Sequence, residues 1–145
     1  MGRDATLLLD VGNGFVAREE MKEHFRTFVI GIGGGTGSGK TTLARSLVNH
    51  FSGGCVFDLD SYYLDRSQTE FQDRDYLNYD EPSAFDIRLL LDHLRRAQAG
   101  EMVWKPRYSF ENHTRTGAEK LYPSTLIIVE GLLLLLGKSY GLDCT

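Results

Sequence analysis

The sequence has little of what marks several other classes of protein. It contains only two cysteines, Cys55 and Cys144, and neither has a metal-binding neighbour at useful spacing. Two isolated cysteines do not form the disulfide framework of a small secreted domain, so both are expected to be buried or incidental thiols. There is one tryptophan, there are three prolines, and we find neither internal repeats nor low-complexity segments. The composition is therefore that of an ordinary globular domain.

Long apolar runs and excess positive charge are missing as well. The longest apolar stretch, residues 126–136, is split by Glu130 and Gly131 and is far shorter than the about 20 residues that a membrane helix needs. Arg3 and Asp4 precede only three leucines, which is not a signal peptide. The net charge of −4 provides no basic field for nucleic acids or acidic membranes. We therefore expect a soluble, cytoplasmic protein of one main domain, with neither nucleic-acid nor membrane partners.

What is present is an alternation of apolar strands and amphipathic helices. "TFVIGI", "CVFDLD" and "TLIIVEG" predict buried strands. Between the first two, "TTLARSLVNHF" predicts a helix whose apolar face carries Leu43, Leu47 and Phe51. The order strand, helix, strand, helix, strand is typical of an α/β fold with a mostly parallel sheet and crossover helices.

The second predicted helix lies in "PSAFDIRLLLDHLRRAQAG". Ser83 and Asp86 form a variant of the capping box at its start, and Gly100 ends it. Its apolar face is expected to carry Ile87, Leu90, Leu91 and Leu94.

Smaller elements are predicted on either side. "MVW" and "KLY" would pair as a hairpin around a loop at residues 105–119. "TLLLDVGNGFVA" would form another hairpin turning at Asn13 and Gly14, and "REEMKEHF" a short helix. His24, His50 and His93 belong to no motif and are expected on the surface.

A glycine-rich loop carries the strongest chemical signal. "GGTGSGKT", residues 34–41, matches the phosphate-binding pattern G-x-x-x-x-G-K-[ST], with a predicted strand before it and a helix after it. Glycines let backbone N–H groups converge on phosphate oxygens, and the helix adds the positive end of its dipole. Lys40 would reach the outer phosphates, and the Thr41 hydroxyl would bind Mg²⁺. We predict ATP or GTP binding by Gly34, Gly35, Thr36, Gly37, Ser38, Gly39, Lys40, Thr41 and Thr42.

Such a loop needs a carboxylate from a neighbouring strand end to help hold the metal. Glu130 closes "LIIVE" and Asp60 closes "CVFDLD", so both are candidates. Asp58 lies two residues before Asp60, on the same face of that predicted strand, and competes for either role.

At this point the chain closely resembles the uridine kinase (uridine–cytidine kinase) family. The matching pieces are the phosphate loop, "DLDSYY", "YLNYDEPSAFD", "PRYSFENHTR" and "LIIVEGLLLL", in the family's order over residues 28–136. The resemblance implies a P-loop NTPase-type three-layer α/β/α fold with a small β-hairpin substrate lobe. It also implies ATP-dependent phosphorylation of the 5′-hydroxyl of uridine or cytidine, with Mg²⁺, giving UMP or CMP in pyrimidine salvage.

The resemblance also assigns roles to individual residues. Asp60 matches the acid that receives the proton of the attacking hydroxyl, beside Lys40 at the phosphates. Glu130 matches the acid that helps Thr41 to hold Mg²⁺. For the nucleoside, Asp80 matches the residue that holds the ribose hydroxyls, Tyr79 and Phe110 the aromatics that enclose the base, Tyr108 and His113 the residues that read its polar edge, and Arg115 a basic residue in the same loop.

The chain departs from the family pattern in places. Ser109 stands where the family usually has an aspartate, and Glu81 where a histidine is common. The family continues beyond "VEGLLLL" with more strands and an arginine-bearing lid, so we expect the domain at 27–145 to be incomplete, preceded by an extension at 1–26. An uncovered edge beside the phosphate-loop strand would favour self-association, unless "ATLLLDVGNGFV" covers it.

Three functions stay open from the sequence. The chain is an active uridine or cytidine kinase, alone or as a homo-oligomer, or a related kinase with another small-molecule acceptor. Alternatively, it is a remnant that binds ATP or nucleoside with weak turnover or none.

Overall fold

The computed structural model describes residues 27–132 in full and, before them, the backbone of two strands. The strands are β1 (Ala5–Asp10), β2 (Gly14–Arg18), β3 (Phe28–Gly33), β4 (Cys55–Asp58), β5 (Val103–Ser109), β6 (Thr114–Leu121) and β7 (Leu126–Glu130). The helices are α1 (Lys40–His50), α2 (Phe71–Arg74) and α3 (Ile87–Gln98), with 3₁₀ turns at Leu59–Tyr62 and Pro82–Ala84. The helix predicted in "REEMKEHF", the chain after residue 132, His24 and Cys144 lie outside the described residues.

The main sheet has the strand order β2-β1-β3-β7-β4. Strands β1, β3, β7 and β4 run parallel, and β2 joins the outer side of β1 in the antiparallel sense. The hairpin predicted in "TLLLDVGNGFVA" is confirmed, but its turn is not at Asn13 and Gly14 as expected. Gly14 is already the first residue of β2 and pairs with Asp10, and Asn13 lies outside the described residues. Its first strand also pairs with the phosphate-loop strand over its whole length, so the edge expected to lie open is covered by β1.

The two faces of β7 carry two separate hydrophobic clusters. Leu126 and Ile128 pack with Ala44 of α1, whereas Ile127 and Val129 pack with Leu90 of α3. Because successive side chains of a strand point to opposite faces, α1 and α3 cover opposite sides of the sheet. The predicted three-layer α/β/α architecture is therefore confirmed.

The helix boundaries correct two expectations. Phe51 does not extend the apolar face of α1, since the helix ends at His50 and Phe51 is 59% exposed. Helix α3 begins at Ile87, and Asp86 alone caps it by accepting a hydrogen bond from the Leu89 backbone N–H at 3.1 Å. Ser83 lies in the preceding 3₁₀ turn, because Pro82 opens a separate turn there.

One of the three histidines expected on the surface is part of the core. His93 is 6% exposed, and its Nδ1 is 2.9 Å from the hydroxyl of Tyr62, which is fully buried. Its position on α3 places it on the apolar side, one turn after Leu90. Burial lowers the pKa of His93, so the neutral ring is favoured there.

The second sheet is the hairpin of β5 and β6. Val103 pairs with Leu121 and Trp104 with Lys120, which confirms the predicted pairing of "MVW" with "KLY". The strands, however, continue inward to Ser109 and Thr114, so the loop comprises residues 110–113 and not 105–119. The pairing register of β5 with β6 shifts between Arg107 and Tyr108, and such an irregularity bends the strand near its loop.

No helix in the described part of the chain combines the length and the apolarity needed to cross a membrane.

Candidate active site

The phosphate loop connects the end of β3 to the first turn of α1. Gly39 precedes the helix with a φ of 88°, a left-handed conformation that favours glycine. A Cβ on Gly34 would lie 2.6 Å from Oγ of Ser38, so a side chain at that position would require the Ser38 hydroxyl to move. Lys40, the first residue of α1, turns its Nζ back to the carbonyl oxygen of Gly35 at 3.0 Å. The lysine charge is thereby held over the loop.

Thr41 and Glu130 meet across two elements. The Thr41 hydroxyl donates a hydrogen bond to Oε1 of Glu130 at 3.2 Å, which joins the first turn of α1 to the end of β7. Glu130 is 9% exposed, and burial raises its pKa, while the Thr41 hydrogen bond and Lys40 oppose that shift. A hydroxyl and a carboxylate are oxygen ligands that suit Mg²⁺, which usually keeps several waters and binds phosphate oxygens as well. The two residues therefore fit a magnesium ion bound together with a nucleotide.

The position of Asp60 corrects the predicted end of the second strand. β4 ends at Asp58, and Asp60 lies in the 3₁₀ turn that follows, so the two acids do not share one strand face. Burial raises the pKa of Asp60, the charge of Asp58 raises it further, and Lys40 lowers it. The carboxyl group thus lies within the electrostatic reach of the phosphate-loop lysine.

Asp58 is engaged in contacts of its own. Its Oδ1 is 2.5 Å from Nζ of Lys105, and its Oδ2 accepts from the backbone N–H of Ser61 at 3.1 Å and from the Ser61 hydroxyl. With both oxygens bound to protein groups, Asp58 is less available than Asp60 or Glu130 for the roles that the sequence left open.

A cavity of about 170 Å³ joins the phosphate loop to the aromatic segments of the chain. Its lining includes Thr36 and Lys40 from the phosphate loop and the start of α1, Asp60 from the 3₁₀ turn, and Asp80 and Phe110 from the aromatic segments. Its remaining lining residues are Leu59, Tyr63, Tyr79, Phe85, Gly131 and Leu132. Six of the predicted site residues therefore line one concavity, whose lining comes from five separate stretches of sequence: Thr36, Lys40, Asp60, Tyr79, Asp80 and Phe110.

Gly131 shows how tightly this concavity is built. A Cβ at Gly131 would lie 2.6 Å from Cβ of Leu59, the residue before Asp60. Its backbone N–H donates to the Ile32 carbonyl at 3.0 Å, so the end of β7 is held against β3. Only a glycine therefore allows the Asp60 turn to approach the end of β7.

The predicted base-binding residues form an aromatic group around Tyr63. The Tyr63 ring stacks on Phe85 at a centroid distance of 4.1 Å and lies 5.1 Å from Tyr108, and Tyr79 and Phe110 each lie 5.9 Å from it at steep angles. Burial, with the charges of Asp60 and Asp80, raises the pKa of Tyr63 to about 12. We did not single out Tyr63 from the sequence, although it lies within "DLDSYY", three residues beyond its last acid.

The two residues predicted to read the edge of a base have unused polar atoms. The Tyr108 hydroxyl and Nδ1 of His113 are buried and have no hydrogen-bond partner in the described part of the chain. The other nitrogen of His113, Nε2, is 3.2 Å from Asp75, and its ring stacks on Tyr79 at 4.5 Å. A carboxylate beside Nε2 favours a proton there, which leaves Nδ1 of the neutral ring as an acceptor.

Arg66 is a further side chain at this place that the sequence did not indicate. Its Nε is also buried and has no partner among residues 27–132, and its backbone N–H donates to the His113 carbonyl at 3.2 Å. The Arg66 charge lowers the pKa of Tyr108, opposing burial and the neighbouring Tyr79, so that the net value is about 12. Unpaired buried polar atoms are costly, so three of them in one region indicate a place where a ligand makes hydrogen bonds.

Arg115 is placed beside the cavity and is absent from its lining. Its Nη2 donates to Oδ2 of Asp86 at 3.1 Å, and its Nε to the Tyr63 carbonyl at 3.2 Å. Arg115 thus ties the hairpin to the start of α3 and to the segment that carries Tyr63.

Comparisons with known proteins agree with this arrangement. Residues 29–139 match the model of the phosphoribulokinase/uridine kinase family. A uridine kinase of Clostridium botulinum (strain 657) is 46% identical over 113 residues, which cover 76% of this chain and 55% of that protein. A uridine kinase of Clostridium perfringens (strain 13) is 43% identical, with 76% and 54% covered. The chain spans about half the length of the curated relatives that it matches.

Solved structures show the same fold. A possible uridine kinase from Bacillus stearothermophilus superposes with a TM-score of 0.56 at 28% identity, covering 79% of this chain and 65% of that one. A D-glycerate 3-kinase from Cryptococcus neoformans gives 0.56 at 21% identity, with 77% and 46% covered, which is a likeness of fold alone. With the phosphate loop, the Thr41–Glu130 contact and the family match over most of its length, this chain belongs to the phosphoribulokinase/uridine kinase family.

Proposed function

We propose that this chain is an ATP-dependent kinase that phosphorylates the 5′-hydroxyl of uridine or cytidine. The observation that carries the proposal is that one cavity is lined by Lys40 beside the phosphate loop, by Asp60, and by Asp80 with aromatic residues. A nucleotide held by the phosphate loop and a nucleoside held by the aromatic group would meet at Asp60. The uridine kinases among the relatives support a pyrimidine nucleoside as the acceptor.

In the proposed reaction, the 5′-oxygen of the nucleoside attacks the γ-phosphorus of ATP. The new bond joins that oxygen to phosphorus, the bond from the γ-phosphorus to the β–γ bridging oxygen breaks, and ADP leaves. Asp60 takes the proton of the hydroxyl, because a carboxylate within hydrogen-bond reach makes a poor nucleophile more reactive. Lys40 balances the charge of the phosphates.

When bound, Mg²⁺ would neutralise phosphate charge and orient the reacting groups. Thr41 and Glu130 are the residues that would hold it, since their oxygens lie together beside the phosphate loop. The loop residues Gly34 to Thr42 would hold ATP, as the sequence predicts, or GTP.

The nucleoside would be held by Asp80 and the aromatic residues of the cavity. A carboxylate accepts two hydroxyl hydrogens at once, which suits Asp80 and a ribose diol. Tyr79 and Phe110 would enclose the base, since aromatic rings stack on any base with about 1–3 kcal/mol each in nucleic-acid sites. Tyr108 and His113 would bind its polar edge through the atoms that have no partner. Arg115 would act on the substrate indirectly, through its contacts with Tyr63 and Asp86.

The test is the release of ADP by the purified chain with MgATP, with and without uridine or cytidine. We expect nucleoside-dependent turnover that falls at least about 100-fold in Lys40→Ala and in Asp60→Asn, because each removes a group that acts in the transition state. Lys120→Ala and Asp92→Asn, which change exposed residues of the same charges away from the cavity, should retain the activity.

Other outcomes select between the alternatives. Binding of ATP and uridine without turnover, in a folded chain, would contradict the kinase proposal and identify a binding module. Turnover with another small hydroxyl compound, and none with uridine or cytidine, would keep the phosphoryl transfer and replace the acceptor. The cytoplasmic location and the division into residues 1–26 and 27–145 stay predictions of the sequence.

A further inference from the structure

Lys105 is a buried lysine that connects the hairpin to the turn carrying Asp60. It lies in β5 and is 8% exposed. Its Nζ is 2.5 Å from Oδ1 of Asp58 and 2.9 Å from Oε1 of Glu119, its cross-strand neighbour in β6. A lysine buried to this degree is uncommon unless it is paired, and here two carboxylates from two different sheets pair with it.

The Asp58 carboxylate divides its oxygens between the two sides of this connection. Oδ1 receives Lys105, while Oδ2 accepts from the backbone N–H and the hydroxyl of Ser61. The bonds to Ser61 cap the 3₁₀ turn Leu59–Tyr62, which contains Asp60. The contacts from Lys105 through Asp58 to Ser61 therefore connect the β5–β6 hairpin to the backbone of the turn that contains Asp60.

The charges make this connection a strong one. Burial by itself would lower the pKa of Lys105, but the hydrogen bonds and charges of Asp58 and Glu119 outweigh it and raise the pKa. The pKa of Glu119 is lowered, first by its hydrogen bond from Lys105. Lys105 is thus a cation that offsets Asp58, and hydrogen bonds between charged groups in a poorly hydrated place resist displacement.

We propose that Lys105 is a positioning residue that holds the nucleoside-binding hairpin and the Asp60 turn in one fixed arrangement. Tyr108 lies three residues further along the same strand, and Phe110 follows that strand directly. Fixing Lys105 to Asp58 therefore fixes the distance from the base-binding rings to the carboxylate at the reacting hydroxyl. The role of Lys105 in turnover rests on the proposed function, whereas its hold on the Asp60 turn does not.

The first test is Lys105→Met, which keeps most of the length of the side chain and removes its charge. Because small misplacements of reacting groups cost up to about 100-fold in rate, we expect kcat for uridine to fall about 10- to 100-fold. The KM for ATP should stay unchanged, since the phosphate loop lies on β3 and α1. The matched control is Arg107→Met on the same strand. The arginine is exposed, its ion pair in the described part of the chain is with Glu119, and its replacement should leave kcat unchanged.

A double variant separates positioning from stability. Lys105→Met leaves Asp58 as an unpaired, partly buried charge, and Lys105→Met with Asp58→Asn removes that charge as well. We expect the double variant to regain thermal stability over the single one, while kcat remains low because the hairpin is still not tied to the turn. Recovery of kcat together with stability would show a structural pair only and would overturn the proposal.

Amide hydrogen exchange decides the matter if the wild-type chain has no turnover, a result that would contradict the proposed function and not this inference. In Lys105→Met the Ser61 amide should exchange at least about tenfold faster, because its acceptor loses its anchor. The internal reference is the Leu43 amide of α1, which donates to the Gly39 carbonyl, and its exchange rate should not change. Equal protection of Ser61 in both chains would overturn the proposal.

Discussion

Asp60 illustrates how a single residue owes its chemistry to its surroundings. Its side chain is exposed at the cavity, and the protein around it displaces part of the water that would stabilise a charge. Asp58 adds a like charge nearby, and only Lys40 acts in the opposite direction. The result is a carboxyl group whose pKa lies above its ordinary value, which is closer to what a general base near neutral pH needs.

This pKa predicts the pH dependence of the proposed reaction. Asp60 must be ionised to accept a proton, so kcat/KM for uridine should fall about tenfold per pH unit below its pKa, which lies above the about 3.9 of a free aspartate. A profile of kcat/KM against pH, with the folded state monitored at each pH, measures the midpoint. The residual rate of Asp60→Asn should lack this acid limb. An acid limb centred below pH 4 would contradict the predicted shift.

The residues around the aromatic group differ in whether their polar atoms are already hydrogen-bonded within the protein. Within the described residues, Tyr108, His113 and Arg66 each keep one buried polar atom unpaired, whereas Tyr79 donates its hydroxyl to the Arg74 carbonyl at 2.8 Å. A side chain whose polar atom is already bonded contributes mainly its ring to a ligand. The unpaired ones contribute hydrogen bonds, and this difference could not be read from residue type.

At the scale of elements, helix α3 depends on Asp86 more than on the serine that the sequence favoured. Oδ1 of Asp86 caps the helix through Leu89, and Oδ2 receives Arg115 from the hairpin. Ser83 is exposed, and its hydroxyl contacts only Glu81 at 3.3 Å. The same carboxylate therefore begins a helix and anchors β6.

We predict that Asp86→Ala lowers the free energy of unfolding by about 1–2 kcal/mol, the cost of losing an N-cap together with a partly buried ion-pair partner. Ser83→Ala should change it by less than about 0.5 kcal/mol, as is usual for exposed substitutions. Urea denaturation of the three proteins, with comparable slopes, gives both values. If the two variants are equally destabilised, the cap assignment is wrong.

The core side of α3 also departs from the simple apolar pattern. His93 and Tyr62 pair within the cluster that includes Leu90 and Phe57, so a polar contact lies inside an apolar layer. Buried polar groups are tolerated when they are bonded to each other. The sequence showed a histidine between leucines, and nothing near it in the chain identified its partner 31 positions away.

At the scale of the whole molecule, the hairpin of β1 and β2 extends the main sheet beyond β3. β1 pairs with β2 on one side and β3 on the other, so it is an internal strand. The edge that would have favoured self-association is thus paired by the chain itself, and the oligomeric state stays a prediction. The position of β1 next to the phosphate-loop strand also makes residues before 27 part of the support of the site.

Amide exchange in the wild-type chain tests this placement. Because β1 has ladder partners on both sides, the amides of Thr6 to Leu9 should exchange at least about 100-fold more slowly than an unstructured chain, with protection at consecutive residues. In β2, which is paired on one side in the described part of the sheet, alternate amides should be protected. Fast exchange throughout Thr6 to Leu9 would contradict the pairing of β1 with β3.

Some features of the structure could be predicted from the sequence because they depend on residues that are neighbours in the chain. The phosphate loop, the buried strands β3 and β7 and the helix stop at Gly100 depend on residues next to each other in the chain. Such features follow from backbone preferences and from the period of apolar residues, which neighbours in sequence set. The family resemblance rests on the same kind of contiguous motif.

Contacts between residues that are distant in the chain are seen only in the tertiary structure. The pairing of Lys105 with Asp58, of Arg115 with Asp86 and the central position of Tyr63 join residues that no sequence period relates. The end of β4 at Asp58, two residues before the predicted acid, is likewise set by the turn that Ser61 and Asp58 close together. Contacts of this kind depend on how sheets, helices and hairpin pack, because burial and charge act through space and not along the chain.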